Sequence, residues 1–167
     1  MRAINELCVS VPPRPPFPVC NECYRGGGFD DRYRSFFVAN RKFRQPAYLA
    51  ASFSSDVAKQ FRARSDAATK VRWIIQLDPE LMCSHVSLVT RRVEGLPDEE
   101  EYLFAPYSVF TVISASWAWE VAEGTDDSPH VIVLRAAPDN NAESEEPPRA
   151  RGGAVPLAQL AYRPSRR

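Results

Sequence analysis

The sequence has little lysine and no excess of charge of either sign. Its 167 residues include 21 basic and 21 acidic side chains, so the formal net charge is zero. A chain without net charge has no overall field to draw it to a polyanion, and we expect no nucleic-acid partner. Only Lys42, Lys59 and Lys70 are lysines among the basic residues. We infer no function from this preference for arginine.

Long apolar runs are also missing. No stretch approaches the roughly 18 apolar residues that a membrane-spanning helix needs, and residues 1–10 lack the apolar segment of a secretory signal peptide. The sequence therefore predicts no membrane association and a cytoplasmic location. The length fits one domain that is large enough for a hydrophobic core.

Metal ligands are sparse. Cys20 and Cys23 form a CxxC pair, but there is no second pair, and His85 and His130 are the only histidines. A structural zinc site needs four nitrogen or sulfur ligands, so the pattern favours reduced thiols, and we expect no metal. Neither histidine has the sequence context of a catalytic triad, and His85 is expected to be a structural strand residue.

The chain divides into three segments by composition. Residues 1–17 include all but the last proline of VPPRPPFP (residues 11–18), which must be extended because proline fixes φ and restricts the residue before it. This segment is a stiff lead-in or, alternatively, a polyproline ligand for an SH3-like module. Residues 138–167 are rich in proline, alanine and charge, which predicts a low-complexity, disordered tail. Residues 18–137 are the predicted folded domain.

Strand patterns dominate this domain. Short apolar or alternating runs bounded by turn residues predict strands at 19–25, 47–53, 71–77, 83–89, 101–104, 108–113 and 131–136. The first of these ends at three glycines. Ser54 or Ser55 is expected to cap a helix with Val57, Ala58 and Phe61 on its buried face. Many short strands with one or two helices indicate an α+β fold.

Two short segments carry candidate binding groups. In YRGGG, Arg25 follows Tyr24 at a strand end and precedes three glycines. An arginine there can bind a phosphate with two hydrogen bonds, and glycines let a ligand approach the backbone. The alternative is a glycine turn with a surface arginine. In SFSSD, Ser52 lies on a strand, directly before the residues that cap the helix.

A third segment, EEEYLF, places Glu99 and Glu101 before a strand. In an extended chain alternate side chains share a face, so their Cα atoms would be about 6–7 Å apart. Two such carboxylates suit glycosidic chemistry, because one stabilises an oxocarbenium-like sugar and the other handles the acceptor proton. The alternative is that they are solvated charges that discourage edge pairing of the sheet.

The order of these segments resembles that of the mono-ADP-ribosyltransferases of the Arg-Ser-Glu, cholera-toxin-like type. The resemblance covers residues 23–112. EEEYLFAPYSVFTV resembles the EEEVLIPP-type stretch of that family, and YLAASFSSDVAKQF resembles the strand and helix around its serine motif. The resemblance implies a split β-sandwich that clasps NAD between two sheets.

The resemblance also implies residues that bind NAD as substrate. Arg25 would hold the phosphates and brace the nicotinamide ribose, with Tyr24 next to it. The backbone of Gly26 would bond the nicotinamide amide. Ser54 matches the second serine of the motif, and Phe53 or a nearby aromatic residue would stack on nicotinamide.

Three residues would carry the catalysis in this family. Ser52 would orient the catalytic glutamate or contact the ribose. Glu101 would bond a ribose hydroxyl and stabilise the oxocarbenium ion. Glu99 would prepare the acceptor, and a glutamate there accompanies arginine as the target. Residues 91–101 correspond to the loop that recognises the target protein.

The implied reaction is transfer of ADP-ribose from NAD to a protein arginine with release of nicotinamide. Two departures stand out: the serine segment reads Ser-Phe-Ser instead of Ser-Thr-Ser, and the helical N-terminal portion of the family is largely missing. The alternatives are an NAD glycohydrolase, in which water replaces the acceptor, and an inactive fold that serves as an interaction module.

Overall fold

The structure is a computed structural model that describes residues 20–67, 69–78, 86–87, 98–118 and 128–137. The predicted lead-in and tail lie outside these residues, as do His85, Cys8, Cys83 and most of the predicted target loop. Within the described part, no helix is both long and apolar enough to cross a membrane.

The described elements, in chain order, are β1 (Glu22–Gly28), a 3-10 helix (Asp31–Phe36), β2 (Lys42–Gln45), β3 (Leu49–Ser52), α1 (Ser55–Arg64), β4 (Lys70–Gln76), β5 (Val86–Ser87), β6 (Glu101–Phe104), β7 (Ser108–Ser116) and β8 (His130–Ala136). The described strands form one sheet in the order β2-β7-β8-β4-β1-β3-β6-β5. The β4–β8 pair is parallel and the other pairs are antiparallel. The predicted α+β class is confirmed.

The sheet is nearly divided between β1 and β3. All seven residues of β1 pair with β4, whereas Tyr24 and Ser52 are the single residue pair between β1 and β3. The sheet therefore has a larger part, β2-β7-β8-β4-β1, and a smaller part, β3-β6-β5. This is where the predicted split lies, although one pair still joins the two parts.

One hydrophobic core supports both parts. Alternate residues of the central strands are buried, among them Trp73 and Ile75 of β4 and Leu134 of β8. Leu49 of β3 and Phe104 of β6 belong to the same cluster. Full burial of such a side chain stabilises the fold by about 1.5–3 kcal/mol. The core therefore fixes the two parts of the sheet relative to each other.

The predicted end of β1 at the glycines is wrong, because β1 continues through them to Gly28. A Cβ atom on Gly26 would collide with the carbonyl oxygen of Ala58 in α1, and one on Gly28 with the carbonyl oxygen of Thr69. Glycine is needed at these positions because neighbouring backbone comes very close to β1. The sequence indicated a close approach, but the structure shows that helix α1 makes it.

The predicted buried face of α1 is also partly wrong. Ala58 and Arg62 are the buried residues of the helix, and Phe61 is 37% exposed. Both buried positions contact the strand near Gly26. A short side chain such as Ala58 fits where the helix backbone lies against β1, so local contact overrides the hydrophobic pattern. The 3-10 helix and β2 were not predicted from the sequence.

Candidate functional site

Three of the predicted segments meet in one row across the divided sheet. Tyr24 of β1 pairs with Ser52 of β3, and Ser52 pairs with Glu101 at the start of β6. Paired Cα atoms in antiparallel strands are about 4.5–5.5 Å apart, so this row is about 10 Å long. Directly paired residues place their side chains on the same face of a sheet. The row therefore brings together residues that are far apart in the chain.

Arg25 lies at the opening between β1 and β3. It follows Tyr24 and pairs with Trp73 of β4, and its Nη1 atom donates a hydrogen bond of 2.7 Å to the carbonyl oxygen of Ala50 in β3. Backbone carbonyls lie near the plane of the sheet, so this bond brings the guanidinium to that level. The arginine thus bridges the two strands where their backbone pairing has stopped.

The electrostatic environment of Arg25 suits an anion. Burial lowers the pKa of its guanidinium, but an arginine begins so far above neutral pH that the group remains a cation. Among the residues that the structure describes, no carboxylate forms an ion pair with it. A partly buried cation without a carboxylate in an ion pair would be stabilised by a bound phosphate group.

The edge of β1 that faces β3 is open beyond Tyr24. Residues 25–28 all pair with β4 on the other edge, and no described strand pairs with them on this edge. Gly26, which was predicted to bind the nicotinamide amide through its backbone, lies in this stretch. The main-chain groups along the open edge are of the kind that a ligand amide can bond.

Ser52 holds the backbone that leads to the glutamates. Its hydroxyl donates a 2.6 Å hydrogen bond to the carbonyl oxygen of Glu99 and accepts a 3.0 Å bond from the N–H group of Ser54. Ser52 is only 5% exposed, and both bonds are partly buried. Its hydroxyl therefore fixes the main chain of Glu99, two residues before Glu101.

The expectation that the chain is extended from Glu99 to Glu101 is wrong, although β6 begins at Glu101 as predicted. Glu100 has a φ of 45°, which reverses the chain locally. The carbonyl oxygen of Glu100 accepts a 3.0 Å bond from the N–H group of Phe53. The junction between β3 and α1 thus holds the chain in a turn, which propensity alone would not predict.

The two carboxylates nevertheless act on each other. Glu101 is partly buried and Glu99 is exposed. Burial raises the pKa of Glu101, and repulsion by the carboxylate of Glu99 raises it further. Such a shift by burial and a neighbouring like charge is common at functional sites. A partly buried carboxylate at this position can stabilise a cation that develops beside it.

Two predicted ligand residues have structural contacts in the described part. Ser54 is the N-cap of α1 and its hydroxyl accepts a bond from the N–H group of Val57. The ring of Phe53 packs against that of Tyr102, with centroids 5.2 Å apart. The structure thus assigns Ser54 to the helix and Phe53 to the border of the core, and stacking of Phe53 on nicotinamide stays a prediction.

Tyr24 is surrounded by charged groups that the sequence did not point to. Its hydroxyl lies 3.3 Å from a carboxylate oxygen of Glu22, and the guanidinium of Arg72 lies 5.5 Å from its ring centroid. Burial first, and then the neighbouring Cys20 and Glu22, raise the pKa of Tyr24. Side chains two residues apart on a strand lie on the same face, so Glu22 and Tyr24 share a face of β1. This spacing is the feature of the sequence that could have predicted their contact.

The remaining candidate ligands do not form a second site in the described part. Cys20 is exposed whereas Cys23 is buried in the core, and the described residues contain no cluster of three metal-ligating side chains. His130 is buried, and its Nδ1 atom accepts a 2.9 Å bond from the N–H group of Ala118. Its ring packs against Trp117, which is a structural environment.

Neither a family model nor a curated protein matches the sequence. The structure, however, is similar to solved structures of ADP-ribosyltransferases. Vis, an ADP-ribosyltransferase from Vibrio splendidus, matches in complex with the M6 inhibitor at a TM-score of 0.54 and 16% identity, over 70% of this chain and 48% of Vis. The complex of Vis with agmatine has a TM-score of 0.51 and 15% identity, again over 70% of this chain and 48% of Vis.

Two other bacterial proteins match in the same way. The Salmonella SpvB ATR domain has a TM-score of 0.54 and 15% identity over 81% of this chain and 69% of the domain. HopU1 of Pseudomonas syringae has a TM-score of 0.50 and 21% identity, and the match covers 70% of this chain and 44% of HopU1. The chain thus has the ADP-ribosyltransferase fold, and it spans about half the length of the Vis chain.

Proposed function

We propose that this chain transfers ADP-ribose from NAD to the arginine side chain of a protein and releases nicotinamide. The observation that carries the proposal is the cross-strand row Tyr24–Ser52–Glu101, with Arg25 at the opening next to it. The row supports a site in which the partly buried carboxylate of Glu101 and the cation of Arg25, at the opening beside β1, act on one ligand. The fold itself supports the same reaction class.

Arg25 binds the pyrophosphate of NAD in this proposal. The guanidinium has donors beyond the one that bonds Ala50, and its planar fork matches phosphate oxygens. The open backbone edge at Gly26 lies next to it and bonds the nicotinamide amide. Together these groups place the nicotinamide ribose at the opening between β1 and β3.

Glu101 stabilises the charge that develops when NAD is cleaved. The bond between the ribose C1′ atom and the nicotinamide nitrogen breaks, and its electron pair leaves with nicotinamide, which becomes neutral. The ribose is left as an oxocarbenium-like cation. A fixed carboxylate beside it lowers the barrier electrostatically, and a single term of this kind contributes about 10²–10³ in rate.

Glu99 prepares the acceptor. A guanidinium nitrogen forms the new bond to C1′, and the proton that it loses passes to a carboxylate, because free guanidinium stays protonated at neutral pH. Glu99 is exposed and interacts with Glu101, so it lies on the solvent side of the pair, where an acceptor would enter. The crystal structure of Vis with agmatine, itself a guanidinium compound, supports arginine as acceptor here.

Mass spectrometry of the full chain incubated with NAD and agmatine tests the proposal. We expect ADP-ribosyl-agmatine, free nicotinamide and ADP-ribose on arginines of the chain itself. Free ADP-ribose that forms at the same rate with and without agmatine would instead show an NAD glycohydrolase. If NAD stays intact, the enzymatic proposal is contradicted, and the remaining alternative is an inactive fold that serves as an interaction module.

A further inference from the structure

The turn before Glu101 has an unfavourable backbone conformation. Glu100 has a φ of 45°, in the left-handed region where the Cβ atom of an ordinary residue is crowded. Residues other than glycine, asparagine and aspartate adopt it uncommonly, and the surrounding structure must then hold it. The contacts around residues 98–100 therefore show what maintains the geometry of the glutamate pair.

Three hydrogen bonds hold this turn. Two come from the β3–α1 junction: the Ser52 hydroxyl bonds the carbonyl oxygen of Glu99 at 2.6 Å, and the Phe53 N–H group bonds that of Glu100 at 3.0 Å. The third comes from within the turn, where the Oδ1 atom of Asp98 accepts a 3.1 Å bond from the Glu100 N–H group. An aspartate that bonds the N–H group two residues later is a common way to stabilise a turn.

We propose that Asp98 is a positioning residue for the glutamate pair, because its carboxylate holds the Glu100 N–H group and so fixes the left-handed turn that presents Glu99 beside Glu101. The catalytic consequence rests on the proposed function. The structural part, that Asp98 maintains the turn, can be measured without any activity.

Loss of the Asp98 bond should affect the two glutamates unequally. Glu101 is paired with Ser52 in the sheet, so its position does not depend on the turn. Glu99 precedes the turn, and a change of φ at Glu100 would move it relative to Glu101. Transfer to a guanidinium, which uses Glu99, should therefore fall more than cleavage of NAD, which uses Glu101.

The chain offers a matched pair of variants and a control. Asp98→Ala removes the acceptor atom, and Asp98→Asn removes the charge but keeps an Oδ1 atom in the same place. Asp30→Ala is the control, because the Oδ1 atom of Asp30 accepts a 3.0 Å bond from the N–H group of Arg32 with the same two-residue spacing. Asp30 is the N-cap residue of the 3-10 helix.

Amide hydrogen exchange and product analysis report on these variants. We expect the Glu100 amide to exchange about 5-fold faster in Asp98→Ala, the factor that loss of one typical hydrogen bond gives. The ratio of ADP-ribosyl-agmatine to free ADP-ribose should fall by a similar factor. Asp98→Asn and Asp30→Ala should match the wild type in both measurements.

The outcomes separate this proposal from the proposed function. Unchanged Glu100 exchange in Asp98→Ala would overturn the positioning role, and so would an Asp98→Asn variant that behaves like Asp98→Ala, because charge would then be the cause. If the wild type does not cleave NAD, the proposed function fails, while the exchange rates still decide whether Asp98 holds the turn.

Discussion

In the described sheet, β1 is the strand whose two edges differ most in the number of residue pairs that they form with the neighbouring strands. On one edge, seven residue pairs join β1 to β4, and the buried side chains of Trp73 and Ile75 lie on that partner strand. On the other edge, one pair joins it to β3, and Arg25 crosses the opening to Ala50. Stability and the candidate chemistry thus reside on opposite edges of the same strand.

The difference has an electrostatic side. The side of β1 that faces β3 has two groups whose charged forms are disfavoured by burial, namely the guanidinium of Arg25 at the opening and the carboxyl of Glu101 on β6, beyond β3. Such groups cost stability unless a ligand or a partner compensates them. The paired edge contributes the apolar burial that offsets this cost. Substitutions on the two edges should therefore separate loss of folding from loss of function.

The largest effect is expected on the paired edge. Ile75→Ala should lower the free energy of unfolding by about 2–5 kcal/mol, because Ile75 is completely buried and its truncation leaves a cavity. Urea denaturation measures this loss. The exposed Val38 is 46% accessible, so Val38→Ala should change stability by less than about 0.5 kcal/mol and serves as the control. Equal losses in the two variants would contradict the assigned role of the paired edge.

The next effect concerns the candidate catalytic carboxylate at the start of β6. Glu101→Gln should reduce nicotinamide release at least about 100-fold, from the size of a single electrostatic catalytic term. The fold should be equally stable or more stable at neutral pH, because glutamine avoids the cost of a buried negative charge. Asp66→Asn, at an exposed carboxylate beyond α1, is the control for both measurements. A Glu101→Gln variant that unfolds or stays active would refute this assignment.

The sign of the pH dependence follows from the raised pKa of Glu101. The folded state favours the protonated form of Glu101. The contribution of this protonation to stability is therefore complete below the ordinary glutamate pKa and is lost as pH rises through the raised pKa of the folded state. The stability advantage of Glu101→Gln should therefore shrink as the solution is made acidic. Denaturation at neutral and at acidic pH measures the change.

The smallest effect on NAD cleavage should come from Glu99. Glu99→Gln removes the repulsion that contributes to the raised pKa of Glu101, so the pKa of Glu101 should fall towards its ordinary value. The acidic limb of the pH profile for NAD cleavage should then move to lower pH, while transfer to agmatine is lost. A limb that stays in place or moves to higher pH would show that the two carboxylates do not interact as described.

The sequence predicted those parts of the fold that depend on local pattern. The alternation in β4 and the apolar run of β8 predicted both strands within a residue or two at each end, and the strand at Glu101–Phe104 has the predicted bounds. Ser54 was one of two predicted caps. These elements could be predicted because period and capping residues are properties of neighbouring positions.

The missed features depend on contacts between distant parts of the chain. Gly26 belongs to β1 because it pairs with Arg72 of β4, and it is a glycine because α1 lies too close for a Cβ atom. Glu100 is left-handed in a turn that residues of the β3–α1 junction bond. In β2, Lys42 and Arg44 leave too little apolar pattern for a prediction. The resemblance to a family, and not the pattern alone, pointed to Arg25, Ser52 and Glu101 as one group.

The most direct test of the central claim, that Arg25 and Glu101 act on the same NAD molecule, is an NMR titration of the isotopically labelled chain with NAD. We expect the amide signals of residues 25–26 and 99–101 to shift together with a single dissociation constant. In Arg25→Ala both groups of signals should need about 30-fold more NAD, the factor for losing about 2 kcal/mol from a charged contact. Shifts in only one group, or two different dissociation constants, would contradict a shared site.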